Sequence, residues 1–311
     1  MAKHNKQPHP ALQKALFAKA VIAPIPANHR LSDIYDFLKS DNPFTHTLDT
    51  NNNDRVANMA GVLYAETEWL KYKQIYKCRH DIMQALLDSD DMNFNLADLN
   101  IPFPAMYFDI SAMGFDISID MPGKFTGVFV AVTPDDDENH SIAISFLHES
   151  TIHNFAGLLI DYKQDRTVAD ILNGVIAETT KLGEFRQLDA VKAATKLTFM
   201  LMAYVSSYEP DVKENKPQVV LIPTGRGKNI PVQIRTWDVG TRYIIEKPRQ
   251  EPSDIIIKSD GSHSSPRPHV RRGHWHTYRV GKGRTKTIVR WLAPMYIGNP
   301  ENNPVVIREK N

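Results

Sequence analysis

The apolar residues of this chain change their spacing once, at Ile101-Pro102-Phe103-Pro104, and that change decides what the chain can fold into. Upstream the spacing is helical. Asp54 to Leu87 contains no proline and one glycine, Gly61, and places apolar residues at Met59, Val62, Leu63, Leu70, Ile75, Ile82, Met83, Leu86 and Leu87. That stripe predicts one long helix or two joined ones. Leu31 to Leu38 predicts a shorter helix, with Ser32 as N-cap and Asn42-Pro43 closing it. Ala11 to Ala27 follows a basic start, but Lys14 and Lys19 interrupt it, so it reads as an amphipathic helix and not as a secretory signal.

Downstream the spacing alternates. In Phe115-Asp116-Ile117-Ser118-Ile119-Asp120 the apolar residues share one strand face and the polar ones the other. Pro122-Gly123 turns the chain into a second run, Thr126 to Val132, and the loop Pro134 to Asn139 leads to a third, Ser141 to Leu147. Links this short favour an antiparallel meander. Thr167 to Thr180 and Leu188 to Ser207 carry helical spacing and are expected to cover one face of the sheet. Gln218 to Ile222, Val232 to Thr236 and Thr241 to Glu246 read as short strands. The expected fold is α+β. It comprises a helical N-terminal region (1–100), a central domain with a mainly antiparallel sheet and packed helices (101–248), a mobile loop (249–268), and a basic C-terminal hairpin packed on the centre (269–311).

Composition narrows the class. The longest wholly apolar run, Ala20 to Ala27, is far below the roughly 20 residues that cross a bilayer, so no membrane partner is expected. A single cysteine, Cys78, excludes an intrachain disulfide and a zinc ribbon and fits a reducing cytoplasm. The net charge of +1 hides an asymmetry: Gly261 to Pro300 has no Asp or Glu and eight Lys or Arg, which leaves −7 for the remainder.

That basic block includes the predicted hairpin. His274 to Val280 and Thr285 to Leu292 are strands about the turn Gly281-Lys282-Gly283-Arg284. Alternation puts His274, His276, Tyr278 and Val280 on one face and Trp275, Thr277 and Arg279 on the other. Arginine offers bidentate donors to phosphate or carboxylate, and Trp275, Tyr278 and Trp291 offer stacking surfaces. The candidate surface for RNA, phosphate or a partner protein is therefore Arg267, His269, Arg271, Arg272, His274, Trp275, His276, Tyr278, Arg279, Lys282, Arg284 and Arg290. Two other readings stand beside it: a structural hairpin whose aromatics enter the core, and histidines that move protons in RNA cleavage.

Other motifs fail on geometry. His148-Glu149-Ser150-Thr151-Ile152-His153 places its second histidine five residues on, about 140° around a helix from the first, so the two cannot grip one zinc. Gly225-Arg226-Gly227-Lys228-Asn229 lacks the first glycine and the final hydroxyl of a phosphate loop. Asp116 and Asp120 lie roughly 13 Å apart along a strand, and Asp135-Asp136-Asp137-Glu138 lacks the spacing of a calcium loop. No catalytic residue, metal or cofactor is expected.

The run Arg267-Pro268-His269-Val270-Arg271-Arg272-Gly273-His274-Trp275-His276, with Tyr278, Gly281-Lys282-Gly283 and Ile288-Val289-Arg290-Trp291, resembles the C-terminal region of the second type V-A anti-CRISPR family of phages and plasmids. Similarity extends to Tyr107-Phe108-Asp109-Ile110-Ser111, to the helix from Thr167 to Leu172 and to Tyr204 to Asp211, over residues about 100 to 298. The resemblance implies a non-enzymatic cytoplasmic protein of a mobile element that lowers production of the type V-A effector nuclease. It would recognise the nuclease's nascent polypeptide, on the ribosome or message, and the message would then be lost. A nucleic-acid-binding regulator unrelated to CRISPR and a histidine-dependent ribonuclease are the alternatives.

Overall fold

The computed structural model describes residues 8–41, 44, 51–89, 92–115, 123–133, 139–149, 156–163, 166–182, 188–223, 229–246, 269–297 and 306–309. Helix α1 (Pro10–Val21) starts where Pro10 presets its φ and the His9 ring accepts from the Ala11 N–H at 3.2 Å. Helix α2 (Leu31–Lys39) begins one residue before the expected cap. The cap position is Arg30 and not Ser32: the Arg30 N–H donates to the Asp33 carboxylate at 2.7 Å, the return bond of an acid in the first turn. Helix α3 (Asn53–Tyr72) is capped by Asn52, which accepts from the Arg55 N–H at 3.1 Å.

At Lys73, with φ of +53°, the helix stops and the expected continuous or joined helices of 54–87 are broken. Strand β1 (Gln74–Cys78) comes next, followed by helix α4 (His80–Leu87). Gln74, Ile75, Tyr76 and Cys78 are all buried, and a strand covered on both faces has no alternation to distinguish it from a helical turn. The Trp69 indole closes the corner by donating to Gln74 O at 2.8 Å.

Strands β2 (Ala105–Asp109), β3 (Phe125–Thr133), β4 (Asn139–His148) and β5 (Gly157–Lys163) form an antiparallel meander, in which β3 and β4 are the second and third of the expected runs and β2 and β5 were not expected. The predicted strand at 115–120 falls almost wholly outside the described residues, as do the acidic loop at 134–138 and the loop at 249–268. Helices α5 (Val168–Leu182) and α6 (Leu188–Ser206) lead to β6 (Val212–Glu214), β7 (Gln218–Pro223), β8 (Asn229–Val239) and β9 (Tyr243–Glu246). The C-terminal part supplies β10 (His269–Arg271), β11 (His274–Val280), β12 (Lys286–Leu292), β13 (Met295–Ile297) and β14 (Val306–Glu309).

The main sheet runs β5-β4-β3-β2-β1-β8-β6, with β7 also on β8. It is mostly antiparallel, but β1 lies parallel to both neighbours, β2 and β8. The one strand among the described residues of the first hundred thus sits inside the sheet. Helices cover both faces. Along β2, Met106 and Phe108 join the core under α4, α5 and α6, while Ala105 and Tyr107 join the core under α1, α2 and α3. In the second core Lys14 and Glu66 are fully buried, with Nζ 3.4 Å from Oε1, and Ser145 donates to the same carboxylate oxygen at 2.5 Å. No described helix is long and apolar enough to cross a membrane.

Candidate functional site

Strands β11 and β12 pair antiparallel from His274↔Leu292 to Val280↔Lys286, as the sequence predicts. Their turn needs left-handed backbone: Gly281 and Gly283 have φ of +83° and +77°, and the Arg284 N–H closes it on Gly281 O at 3.0 Å. Trp291 lies opposite Trp275, Arg290 opposite His276 and Ile288 opposite Tyr278. One face therefore carries Trp275, Val289 and Trp291, and the other His276, Tyr278 and Arg290.

The first face is the mount. Trp291 is 6% exposed, donates to Ser89 Oγ at 2.9 Å and meets the Tyr204 ring edge-on at 5.5 Å. Trp275 leans on Phe94, with ring centroids 5.3 Å apart. The Tyr208 N–H donates to Val289 O at 2.8 Å, which ties β12 to the end of α6. Gly273 leaves room for this contact, since a Cβ there would stand 2.7 Å from Trp291 Cζ2. Trp291 thus offers no stacking surface to a ligand, and Trp275 is turned inward.

The second face is open. His276 and Tyr278 are exposed and stack, with centroids 4.2 Å apart and planes tilted by 33°. Arg271, Arg272, Arg279, Lys282, Arg284, Lys286 and Arg290 are all exposed. Of these seven, only Arg290 has a carboxylate among the described residues within ion-pair reach, Glu209 at 3.7 Å. Arg271 Nη2 faces His274 Nε2 at 3.3 Å. The tip from Arg279 to Lys286 projects as a basic arm, which attracts phosphate or carboxylate. His269 belongs to β10, which pairs with β13, and Arg267 lies outside the described residues.

Thr167 to Leu172 and Tyr204 to Asp211 serve the fold. Thr167 and Asp170 form a reciprocal cap on α5: Thr167 Oγ1 donates to Asp170 at 2.7 Å and accepts from the Asp170 N–H at 3.1 Å. The Asp211 N–H donates to the Tyr204 hydroxyl at 3.3 Å. The buried Asp211 carboxylate accepts from the Arg242 N–H at 2.6 Å and pairs with the Arg242 guanidinium at 3.1 Å. Tyr204 thus joins the hairpin mount on one side to this charged knot on the other.

One polar recess went unseen in the sequence because three strands build it. It occupies about 370 Å³ at the carboxyl ends of β1, β2 and β8, lined by Lys77, Arg79, Asp109, Ser111, Asp238 and Thr241. In register, Lys77 stands between Asp109 and Asp238, so the row reads as opposite-charge cross-strand pairs. Beside it, burial, aided by the Asp109 charge, pushes the Cys78 thiol well above its ordinary pKa, so it is a poor nucleophile. Among the described residues no three His, Cys, Asp or Glu side chains gather as metal ligands.

The profile of the AcrVA2-like family, anti-CRISPR type V subtype A2, matches residues 76–299. The chain belongs to this family. The matched span runs from within β1 to the end of β13, so it includes the hairpin and every part of its mount. In fold the chain is similar to the crystal structure of AcrVA2, with a TM-score of 0.53 and 14% identity over 93% of each chain. That structural likeness extends beyond the matched span to the helices ahead of β1. No curated protein matches the chain.

Proposed function

We propose that this anti-CRISPR protein acts in the cytoplasm of the host by silencing production of the type V-A effector nuclease. It recognises the nascent polypeptide of that nuclease during translation, and the message is then lost. The observation that supports this reading is the division of the hairpin: one face is committed to the mount, while the other extends a basic arm with an exposed His276–Tyr278 stack. Such an arm suits phosphate and unstacked bases, which surround a translating ribosome. The acidic remainder of the chain limits indiscriminate contact with RNA. Recognition here is binding, with no catalytic step assigned to the chain.

The test is the steady-state level of the effector message with and without this protein, for the natural reading frame and for a frameshifted frame of nearly identical RNA. Loss in the natural frame alone is expected. Loss of both messages points to direct RNA recognition, and loss of neither removes the reading. Replacing Arg271 and Arg272 by Ala, which leaves the mount untouched, is expected to abolish the loss in a folded protein.

A further inference from the structure

Strand β7 pairs with the first half of β8, from Gln218↔Ile234 to Pro223↔Asn229, and no other described strand pairs with it. Only Asn215 to Pro217 separate it from β6, so β6 and β7 lie on the same side of β8, opposite β1. Two hydrogen bonds orient β8. The Arg235 N–H donates to Lys73 O on the β1 side, and the Asn215 N–H donates to Thr236 O on the other. Successive residues of a strand turn their backbone groups to opposite edges. Ile234, Val232 and Ile230 therefore face β7, opposite Gln218, Val220 and Ile222. Val219 and Leu221 are left with N–H and C=O groups directed away from β8. Pro231, opposite Leu221, sits where its missing N–H removes nothing from the ladder.

The same two residues hold their side chains in solvent: Val219 is 64% exposed and Leu221 50%, whereas Val220 and Ile222 pack against the core. Natural edges are usually blunted by charge, yet Gln218 to Pro223 carries none. We infer that this edge of β7, which no described strand pairs, is a docking site for an extended polypeptide segment, which adds to the sheet as a further strand with apolar side chains at alternate positions. Six residues of strand span roughly 20 Å, enough for a short segment. An edge that short is insufficient for the ~1,000 Å² or more that a stable pairing of two folded copies buries. Backbone bonds would supply affinity, and the pleat beside Val219 and Leu221 would select the side chains. A chain that has not yet folded has the unpaired backbone such an edge requires; naming the nascent effector as donor rests on the reading above.

The test uses the full-length protein and short overlapping synthetic peptides that tile the type V-A effector nuclease, read by fluorescence anisotropy and by hydrogen exchange. At least one peptide is expected to bind, with affinity at least about tenfold lower for Val219→Lys and for Leu221→Lys, both of which place the new charge in solvent. The amides of Val219 and Leu221 should gain protection with the peptide. Equal binding to both variants, or no protection of these two amides, overturns the edge as the site and leaves the nascent-chain reading standing. If no peptide binds, the edge is overturned for this donor, and frame-dependent message loss then judges the reading separately.

Discussion

Replacing Lys14 by Met tests what holds α1 against α3 and β4. Lys14 and Glu66 are both fully buried and 3.4 Å apart, and Ser145 donates to the carboxylate from β4. Burial raises the Glu66 carboxyl from an ordinary 4.5 to about 7, with the Lys14 charge as the largest influence holding it down. Burial also lowers the Lys14 pKa, against the pull of Glu66. Removing one partner of a buried pair costs about 3–5 kcal/mol. At roughly 2 °C per kcal/mol for a chain this long, that cost in full is about 6–10 °C of melting temperature, approached only as pH rises well above 7. Replacing both residues, Lys14→Met with Glu66→Leu, leaves no buried charge at this site and should recover most of the loss. The pH dependence has a definite sign. A carboxyl whose folded pKa is raised contributes most below pH 4.5, and that contribution falls as pH rises to the folded value. In the wild type the fall ends near pH 7; without Lys14 the carboxyl pKa climbs further, so the fall continues at about 1.4 kcal/mol per pH unit. Urea unfolding at several pH values should show curves that run parallel below about pH 7 and separate above it. A single variant within about 1 kcal/mol of wild type at every pH, or a double variant no more stable than the single, refutes the argument.

Trp291→Phe removes the indole donor to Ser89 and should cost about 1–2 kcal/mol in urea unfolding; Ser89→Ala should cost a similar amount, and the pair together little more than either. Thr167→Ala removes the reciprocal cap of α5 and should cost about 1 kcal/mol by the same measurement. Lys282→Ala, Arg284→Ala and Lys286→Ala change exposed tip residues. Each should leave the melting temperature unchanged while lowering the salt slope of single-stranded RNA binding by about 0.7; an unchanged slope removes the tip as a phosphate contact.

Where structure follows local periodicity the sequence was readable. Strands β3 and β4, helices α2, α5 and α6, and the β11–β12 hairpin all lie where alternation or helical spacing put them. Strand β1 was not readable, because Ile75 and Tyr76 face two different cores and so present no polar side. Nor was its parallel pairing with β8, since register between segments so far apart depends on the whole sheet. Lys14 read as an interruption that keeps a helix amphipathic; the carboxylate that receives it lies on another helix. At the candidate site, alternation correctly separated Trp275 from His276 and Tyr278. Which side was the mount depended on Phe94, Ser89 and Tyr204, which only folding brings there.

The residues of the hairpin and its surroundings divide by what they touch. Gly273, Trp291, Tyr204 and Asp211 form one connected fixture, from the close approach under the hairpin to the ion pair with Arg242. A change in any of them loosens the arm whatever the arm binds, so this set describes how a basic hairpin is held. His276, Tyr278, Arg279, Lys282 and Arg284 bear no such load, and neither do Val219 and Leu221. Surface residues can change at little cost in stability, which is the freedom that target choice needs. Exchanging these outward residues between two members of the family should therefore move their choice of target while leaving the unfolding midpoint in place. Exchanging the inward set should move the midpoint and leave the choice of target alone.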